Sequence, residues 1–214
     1  MNMDEKQSAP PPPLEGFAHI KRYWDKTSQM YAAKLLPGEF YVTTHDELIV
    51  TVLGSCVSAC VRDRVFGIGG MNHFMLPGGG AGAAPDPQSK WASEATRYGN
   101  FAMEALINEI LKNGGRKENL EIKIFGGGKI MENMTNIGDM NIRFVREFIH
   151  AEGLKLLAED VGDIYPRKVH YFPISGKVKM KKLRSLHNNT IVERERRYSE
   201  SLRAKPIEGD IDLF

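Results

Sequence analysis

The chain is 214 residues long, with 42% hydrophobic and 26% charged residues and a formal net charge of +2. This length is sufficient for one well-packed core with extensions, and a charge so close to zero gives no reason to expect sequence-independent nucleic-acid binding. The longest apolar runs, such as residues 48–53, are too short to span a bilayer, so we do not expect a membrane-embedded protein.

The amino terminus and the cysteine content predict a cytoplasmic protein. Residues 1–13 are polar and rich in proline, with four consecutive prolines from Pro10 and no hydrophobic signal segment. This composition predicts a disordered or polyproline II leader. The two cysteines of the chain make no disulfide framework, and the reducing cytosol fits them best.

After the leader, the pattern predicts one helix and then strands. Large apolar residues are spread through residues 17–34 and predict an appended helix, so we assign residues 14–35 to an N-terminal helical extension. Residues 40–42 and 48–52 are typical of strands on either side of a His-Asp-Glu turn.

The next two apolar segments predict a β-hairpin that carries Cys56 and His73. The only polar break between the segments is residues 62–65. With the turn centred between Arg64 and Val65, Cys56 lies directly opposite His73. Directly opposed residues have Cβ atoms roughly 4.5–5.5 Å apart, which lets an imidazole reach a thiol.

The rest of the chain adds two helices and several strands. A loop of Gly, Ala and Pro comes first, and the later elements end in Gly-rich turns. In chain order we predict a loop at 78–88, a helix at 93–112, a strand at 120–125, a helix at 136–152, and strands at 154–160, 168–172 and 176–183. Because only two core helices serve many strands, we predict an α+β fold, a layered α/β sandwich with mostly antiparallel strands. Residues 193–197 and the tail are highly charged and are expected to be loosely held.

Cys56 and His73 form a candidate nucleophile and base on two rigid strands. The alternative is that Cys56 is a small buried hydrophobe, as most free cysteines are. Gly54 and Ser55 precede it, however, and allow backbone amides to come close. A neighbouring imidazole also lowers a thiol pKa from its usual ~8.5.

A third polar group would orient His73 or polarise the site, and Thr51, Ser55 and Asn72 are the nearest candidates. Thr51 has the wrong parity to share a face with Cys56 on one continuous strand. It can join the site only if the Gly-Ser pair before Cys56 makes a bulge or bend, which glycine in a strand often signals.

Other chemistries fit the sequence less well. On one strand Cys56 and Cys60 have Cα atoms about 13 Å apart, which prevents a disulfide and disfavours a zinc site that combines them with His73. The run of three glycines before Lys129 lacks the Ser or Thr of a phosphate-binding loop, since Ile130 follows. We interpret these glycines as allowing close backbone approach to another strand or to a protein substrate. No metal and no cofactor are expected.

Several short segments stand in a characteristic order along the chain: residues 53–56 (Leu-Gly-Ser-Cys), 69–77, 123–128, 137–142, 160–163 and 176–178. Together they resemble the CheD family, the chemoreceptor glutamine deamidases of bacterial and archaeal chemotaxis. The resemblance covers about residues 36–186, which we treat as the deamidase domain, followed by a charged C-terminal extension at 187–214.

The resemblance implies an α/β sandwich related to bacterial toxin deamidases, with a Cys-His-Thr site. Carried over by motif, Cys56 is the nucleophile, His73 the base and Thr51 the third residue. The implied substrates are glutamines in the cytoplasmic domains of methyl-accepting chemoreceptors, which pass through a thioester on Cys56. Backbone amides around Gly54 and Ser55 would stabilise the oxyanion.

Two alternatives to a receptor deamidase stay open. Family members can bind CheC, a phosphatase of the response regulator CheY, so the chain is also compatible with a non-catalytic adaptor that binds receptors or CheC. A thiol protease or transamidase would share the same nucleophile.

Residues 209–214 combine acidic and apolar residues, which suits a short docking peptide, with a frayed terminus as the alternative.

Overall fold

Ten strands and three α-helices make up the part of the chain that the computed structural model describes. It describes residues 9–77, 90–130, 137–184 and 189–204, apart from the side chains of residues 90–93 and 203. The elements are β1 Lys21–Asp25, β2 Met30–Lys34, β3 Phe40–Thr43, β4 Leu48–Leu53, β5 Val57–Asp63, β6 Gly69–Asn72, α1 Lys90–Lys112, β7 Leu120–Gly126, α2 Ile137–Ala151, β8 Lys155–Val161, β9 Arg167–Phe172, β10 Lys177–Lys182 and α3 Asn189–Ala204.

The strands form two five-stranded sheets. The first sheet has the order β1-β2-β4-β9-β10 and the second has the order β3-β6-β5-β7-β8. Neighbouring strands are antiparallel except in the pairs β2–β4 and β7–β8. In β7, Ile122 and Ile124 point into the core while Glu121 and Lys123 are partly exposed, because successive side chains of a strand alternate between its faces.

One hydrophobic cluster joins the two sheets to helices α1 and α2. It includes Ile49 and Val169 from the first sheet, Ile122 from the second, Leu106 from α1 and Val145 from α2. Both helices pack against strands of the second sheet. The layers therefore run from the first sheet through the second to the helices, which confirms the predicted sandwich of mostly antiparallel strands.

The helix predicted within residues 14–35 is wrong, because this segment forms the antiparallel hairpin of β1 and β2. Its turn is closed by the Ser28 amide, which donates to Asp25 Oδ2 at 3.0 Å. Trp24 and Tyr31 are paired across the hairpin with ring centroids 5.2 Å apart. Cross-strand pairing thus overrides the scattered apolar pattern, and β2 continues the sheet by pairing with β4.

The β5–β6 hairpin is present, but its register differs from the predicted one. Cys60 pairs with Met71, so Cys56 does not lie directly opposite His73. The reason lies in the turn, where Asp63 Oδ1 accepts the backbone N–H groups two and three residues ahead at 2.7 and 2.9 Å. This local bonding moves the centre of the turn by one residue and the register by two.

The prediction that residues 193–197 are loosely held is also wrong, because they belong to α3. This third helix buries Ile191, Glu195 and Ser199, which are spaced four residues apart on one face. Only one of the three is hydrophobic, and Tyr198 and Leu202, which continue this face, are only partly buried, so the apolar signal for burial is weak. The helix closes the edge of the candidate site described below.

Several predictions fall where the structure gives no description. Residues 1–8 of the predicted leader, the Gly-rich loop at 78–88 and the docking peptide at 209–214 lie outside the described residues. In the ranges that are described, no helix combines the length and the apolar character needed to cross a membrane.

Candidate active site

Cys56 lies where the chain passes from one sheet to the other. Strand β4 ends in the first sheet at Leu53, and β5 begins in the second sheet at Val57. The Gly-Ser-Cys segment therefore crosses between the sheets and does not continue one strand. This crossing removes the parity argument against Thr51, because Thr51 and Cys56 are not on one continuous strand.

The glycine run after β7 lets the backbone approach this crossing segment. The Gly127 amide donates to the Cys56 carbonyl at 2.8 Å, and the Gly128 amide donates to the Gly54 carbonyl at 2.7 Å. Gly126 has a φ of 111°, and a Cβ there would lie 2.2 Å from the Cys56 carbonyl oxygen. Only glycine fits this approach, as the sequence interpretation of the run proposed.

His73 makes a hydrogen bond to Thr51 that fixes the state of its ring. Nδ1 of His73 lies 2.7 Å from Thr51 Oγ1. The Thr51 hydroxyl donates its single hydrogen to the Leu35 carbonyl at 3.0 Å, so it accepts the Nδ1–H of His73. The Nε2 atom then carries the free lone pair. It is buried and has no hydrogen-bond partner among the described residues.

Three reactive groups meet in a fully buried position. Cys56 Sγ, a ring nitrogen of His73 and a carboxylate oxygen of Glu195 all lie within 4.8 Å of one another. Burial raises the pKa of the Cys56 thiol, and the Glu195 carboxylate raises it further. Burial lowers the pKa of His73 to about 3, and the charge of Arg194 acts in the same direction. At neutral pH the enclosed site thus holds a neutral thiol beside a neutral imidazole, and both pKa shifts oppose proton transfer between them.

Backbone amides of the crossing segment converge on the Glu195 carboxylate. The Gly54 and Ser55 amides donate to it at 2.7 Å each, and the Cys56 amide donates at 3.4 Å. The Ser55 hydroxyl adds a bond of 2.6 Å. Converging N–H groups of this kind form an oxyanion hole. The two carboxylate oxygens of Glu195 already occupy this position.

The remaining predicted candidates are placed elsewhere. Asn72 accepts the Ala59 amide and donates to the Ala102 carbonyl, so it does not orient His73. Cys60 is buried on β5, and burial raises the pKa of its thiol. These contacts make Asn72 and Cys60 parts of the core.

Sequence reasoning missed two residues that shape the site, Glu195 and Asn141. Asn141 is fully buried on α2, donates to the Ser55 carbonyl at 2.8 Å and accepts the Leu76 amide at 2.8 Å. A signal existed for Asn141, because it is a polar residue on the apolar face of a predicted helix. Glu195 lies about 140 residues from its partners, and nothing in its neighbourhood marks it.

The same three groups are the one cluster among the described residues whose donor atoms are close enough for a metal ion. Sulfur, nitrogen and oxygen donors of this kind bind zinc. Both oxygens of Glu195, however, already accept hydrogen bonds from the crossing segment. A metal ion would have to compete with these donors, so the arrangement suits an anionic oxygen better than a cation.

Comparison with known proteins gives a consistent result. The family model CheD, described as CheD chemotactic sensory transduction, matches residues 75–182. A relative from Halorhodospira halophila is 54% identical over 205 residues, covering 94% of this chain and 93% of its own. A relative from Methylobacillus flagellatus is 53% identical with 94% and 98% coverage, and one from Hahella chejuensis is 50% identical over the whole of both chains. Each is named "Probable chemoreceptor glutamine deamidase CheD".

Proposed function

Because the chain belongs to the CheD family, we propose that it is a protein-glutamine deamidase that converts glutamine side chains of chemoreceptors to glutamate in chemotaxis. The observation that carries the proposal is the arrangement of Cys56, His73 and Thr51, in which the free Nε2 of His73 is available to the thiol. A thiol, a base and an orienting hydroxyl are the parts that acyl transfer through cysteine requires.

The first half of the proposed reaction forms a thioester. The Cys56 thiol gives its proton to Nε2 of His73, and the thiolate attacks the side-chain amide carbon of the substrate glutamine. The developing oxyanion is held by the amides of Gly54 and Ser55. One such donor contributes roughly 2.7–4 kcal/mol to transition-state stabilisation. The imidazolium of His73 then protonates the leaving nitrogen, the C–N bond breaks, and ammonia departs.

The second half hydrolyses the thioester. Water gives a proton to Nε2 of His73 and attacks the thioester carbon, after which the C–S bond breaks and the thiol of Cys56 regains its proton. The net change is one water consumed, one ammonia released and one glutamate formed. Throughout the cycle the Thr51 hydroxyl accepts the Nδ1–H of His73, which keeps Nε2 as the nitrogen that exchanges protons.

The proposed setting is the cytoplasm, where reducing conditions keep Cys56 as a thiol. The proposed substrates are receptor cytoplasmic domains, since the relatives are named for chemoreceptor glutamines. CheC is a second proposed partner, supported by the family resemblance. Co-purification with a CheC protein from the same genome tests this partnership, and failure to bind at micromolar concentrations would dismiss it.

The function is tested by mass spectrometry of a glutamine-bearing chemoreceptor cytoplasmic domain incubated with the wild-type chain. We expect the mass increase of an amide-to-acid conversion at defined glutamines, lost with Cys56→Ala and with His73→Ala. Cys60→Ala is the matched control, because Cys60 is an equally buried cysteine outside the site, and it keeps most of the activity.

The same experiment separates the enzyme from the adaptor. Conversion that persists in Cys56→Ala contradicts the thioester mechanism. Tight binding of the receptor domain without conversion by any form of the protein favours a non-catalytic adaptor. Cleavage or cross-linking of the receptor in place of conversion identifies a protease or a transamidase.

A further inference from the structure

The proposed nucleophile and base are closed off from solvent. Cys56 and His73 both have 0% of their surface exposed. A glutamine side chain of another protein cannot reach Sγ in this arrangement, so a covering element has to move before the reaction. Among the described elements, α3 is the one that places a side chain against the nucleophile and its amides.

The side chain that α3 places there has the chemistry of the reaction product. Glu195 differs from a substrate glutamine only by an oxygen in place of the amide nitrogen, and deamidation yields a glutamate. Its Oε1 accepts the Gly54 amide and its Oε2 the Ser55 amide, both at 2.7 Å. Gly54 permits this contact, since a Cβ at that position would lie 2.7 Å from Glu195 Oε2.

The attachment of α3 is smaller than that of α2. Three residues of α3 are buried, against seven in α2, and Val192, Tyr198 and Leu202 add partly buried contacts with the core. Two polar bonds hold its flanks, from Arg194 to the Val52 carbonyl at 2.5 Å and between the hydroxyls of Tyr198 and Tyr98. The exposed face carries ion pairs between Glu193 and Arg196 and between Arg196 and Glu200, which support the helix itself whether or not it is docked.

The site is also inactive while α3 is docked. The Glu195 carboxylate occupies the amides that would hold the oxyanion, and its negative charge beside Cys56 disfavours the thiolate. A site that needs a thiolate and an empty oxyanion hole therefore has neither while α3 is docked.

We propose that α3 occupies the site where the substrate binds, and that Glu195 takes the position of the product glutamate. The helix keeps the enzyme closed until a substrate segment displaces it. The inference rests on the proposed deamidase function and adds its regulation. The proposal also identifies the surface that α3 covers, around residues 54–56, as the place where the substrate segment binds.

The first test measures the accessibility of Cys56 in the full chain. Iodoacetamide labelling followed by peptide mass spectrometry compares the wild type with Glu195→Ala and with Glu193→Ala, a control on the exposed face of the same helix. We expect Cys56 of Glu195→Ala to react several times faster, since the substitution removes both the side chain that covers Sγ and a charge that raises the pKa of the thiol. The control should match the wild type. Equal rates in all three proteins would overturn the proposal.

The second test asks whether residue 195 sits in the substrate position. In Glu195→Gln the helix presents a glutamine to Cys56, and we expect the introduced glutamine to be converted back to glutamate within the purified chain. The double variant Cys56→Ala/Glu195→Gln is the control and should keep its glutamine. An introduced glutamine that stays unconverted in a preparation that deamidates receptors contradicts the product-mimic assignment.

Receptor assays distinguish the covering role of α3 from the deamidase activity itself. We expect Glu195→Ala to deamidate the receptor domain several times faster than the wild type and Glu193→Ala. Receptor conversion at the same rate by all three, together with unchanged labelling, overturns the role of α3 and leaves the deamidase intact. Faster labelling of Glu195→Ala without any receptor conversion supports the covering role and contradicts the deamidase.

Discussion

Contacts from both sheets hold His73, the proposed base, in place. His73 follows a strand of the second sheet, and Thr51 lies on a strand of the first. The bond between them therefore spans the sandwich and orients the ring through a group that the core holds rigidly. Thr51 touches no reacting atom in the proposed mechanism, so it acts as a positioning residue for His73.

Replacing Thr51 by valine should separate positioning from binding. Valine has a similar shape but cannot accept the Nδ1–H of His73, which leaves the ring free to adopt the other tautomer. We expect kcat for receptor deamidation to fall about tenfold to hundredfold, less than the roughly 10²–10⁴-fold that the general base itself contributes, with KM nearly unchanged. Thr51→Ser should restore most of kcat and the wild-type pH profile. A kcat unchanged in Thr51→Val would remove Thr51 from the mechanism.

Burial of His73 predicts that acid destabilises the protein. The pKa of His73 falls from an ordinary 6.5 to about 3 in the folded chain, so between these values the unfolded state binds one more proton. The free energy of unfolding should therefore decrease as the pH falls through this window, by at most about 1.4 kcal/mol per pH unit for this group. Urea unfolding at several pH values measures the slope. His73→Gln should show a smaller slope, and an identical slope would contradict the burial of a neutral ring.

The β5–β6 hairpin owes its register to one carboxylate. Asp63 accepts hydrogen bonds from the amides of Val65, Phe66 and Arg116 and from the Asn119 side chain, at 2.7 to 3.2 Å. This set of bonds connects the turn to the segment before β7. By fixing the register of β5 against β6, it also fixes where His73 lies relative to Cys56. A local turn thereby controls the geometry of a site at the other end of the hairpin.

Removing this carboxylate should destabilise the whole protein. Asp63→Ala removes the buried acceptor of four hydrogen bonds, and we expect a loss of about 2–4 kcal/mol in the free energy of unfolding. Asp139→Ala is a suitable control because Asp139 is half exposed and bonded only to the exposed Lys129 in the described ion pairs, with an expected loss below about 1 kcal/mol. Chemical denaturation compares the two. Equal small losses would show that the turn does not depend on Asp63.

At the scale of the whole molecule, the first hairpin is connected to the rest of the chain through a sheet and a buried ion pair. Strands β1 and β2 supply two of the five strands of the first sheet. The side chain of Arg22 on β1 pairs with Glu47, which also accepts the Tyr41 hydroxyl at 2.6 Å. This buried cluster fastens the hairpin to the turn before β4, the strand that carries Thr51.

Arg22→Ala tests this connection. The substitution leaves the buried charge of Glu47 without its partner, which typically costs about 3–5 kcal/mol. We expect a corresponding fall in the free energy of unfolding and reduced deamidase activity. Lys21→Ala is the control, since Lys21 is exposed on the same strand, and it should leave both unchanged. A stable and active Arg22→Ala would show that the hairpin is dispensable for the site.

Periodicity and local chemistry predict much of the fold. The elements predicted at residues 93–112, 120–125 and 136–152 lie within a few residues of their observed bounds, because their apolar residues repeat with a clear helical or strand period. The segment before β3 gives a wrong prediction of a helix, since its aromatic residues pack across a hairpin. The buried face of α3 escapes prediction because its central residue is a glutamate, for which burial depends entirely on partners far along the chain.

Local patterns and motifs are enough to identify the residue types of the site, the Gly-Ser-Cys segment, the layered sandwich and the family, because none of these requires knowledge of distant contacts. How the groups meet follows from the tertiary structure instead. Thr51 reaches His73 because β4 and β5 belong to different sheets, and Glu195 reaches the amides of Gly54 and Ser55 because α3 folds back over them. Both contacts join residues that are close in space but separated in the chain, so neither leaves a period or a spacing in the sequence.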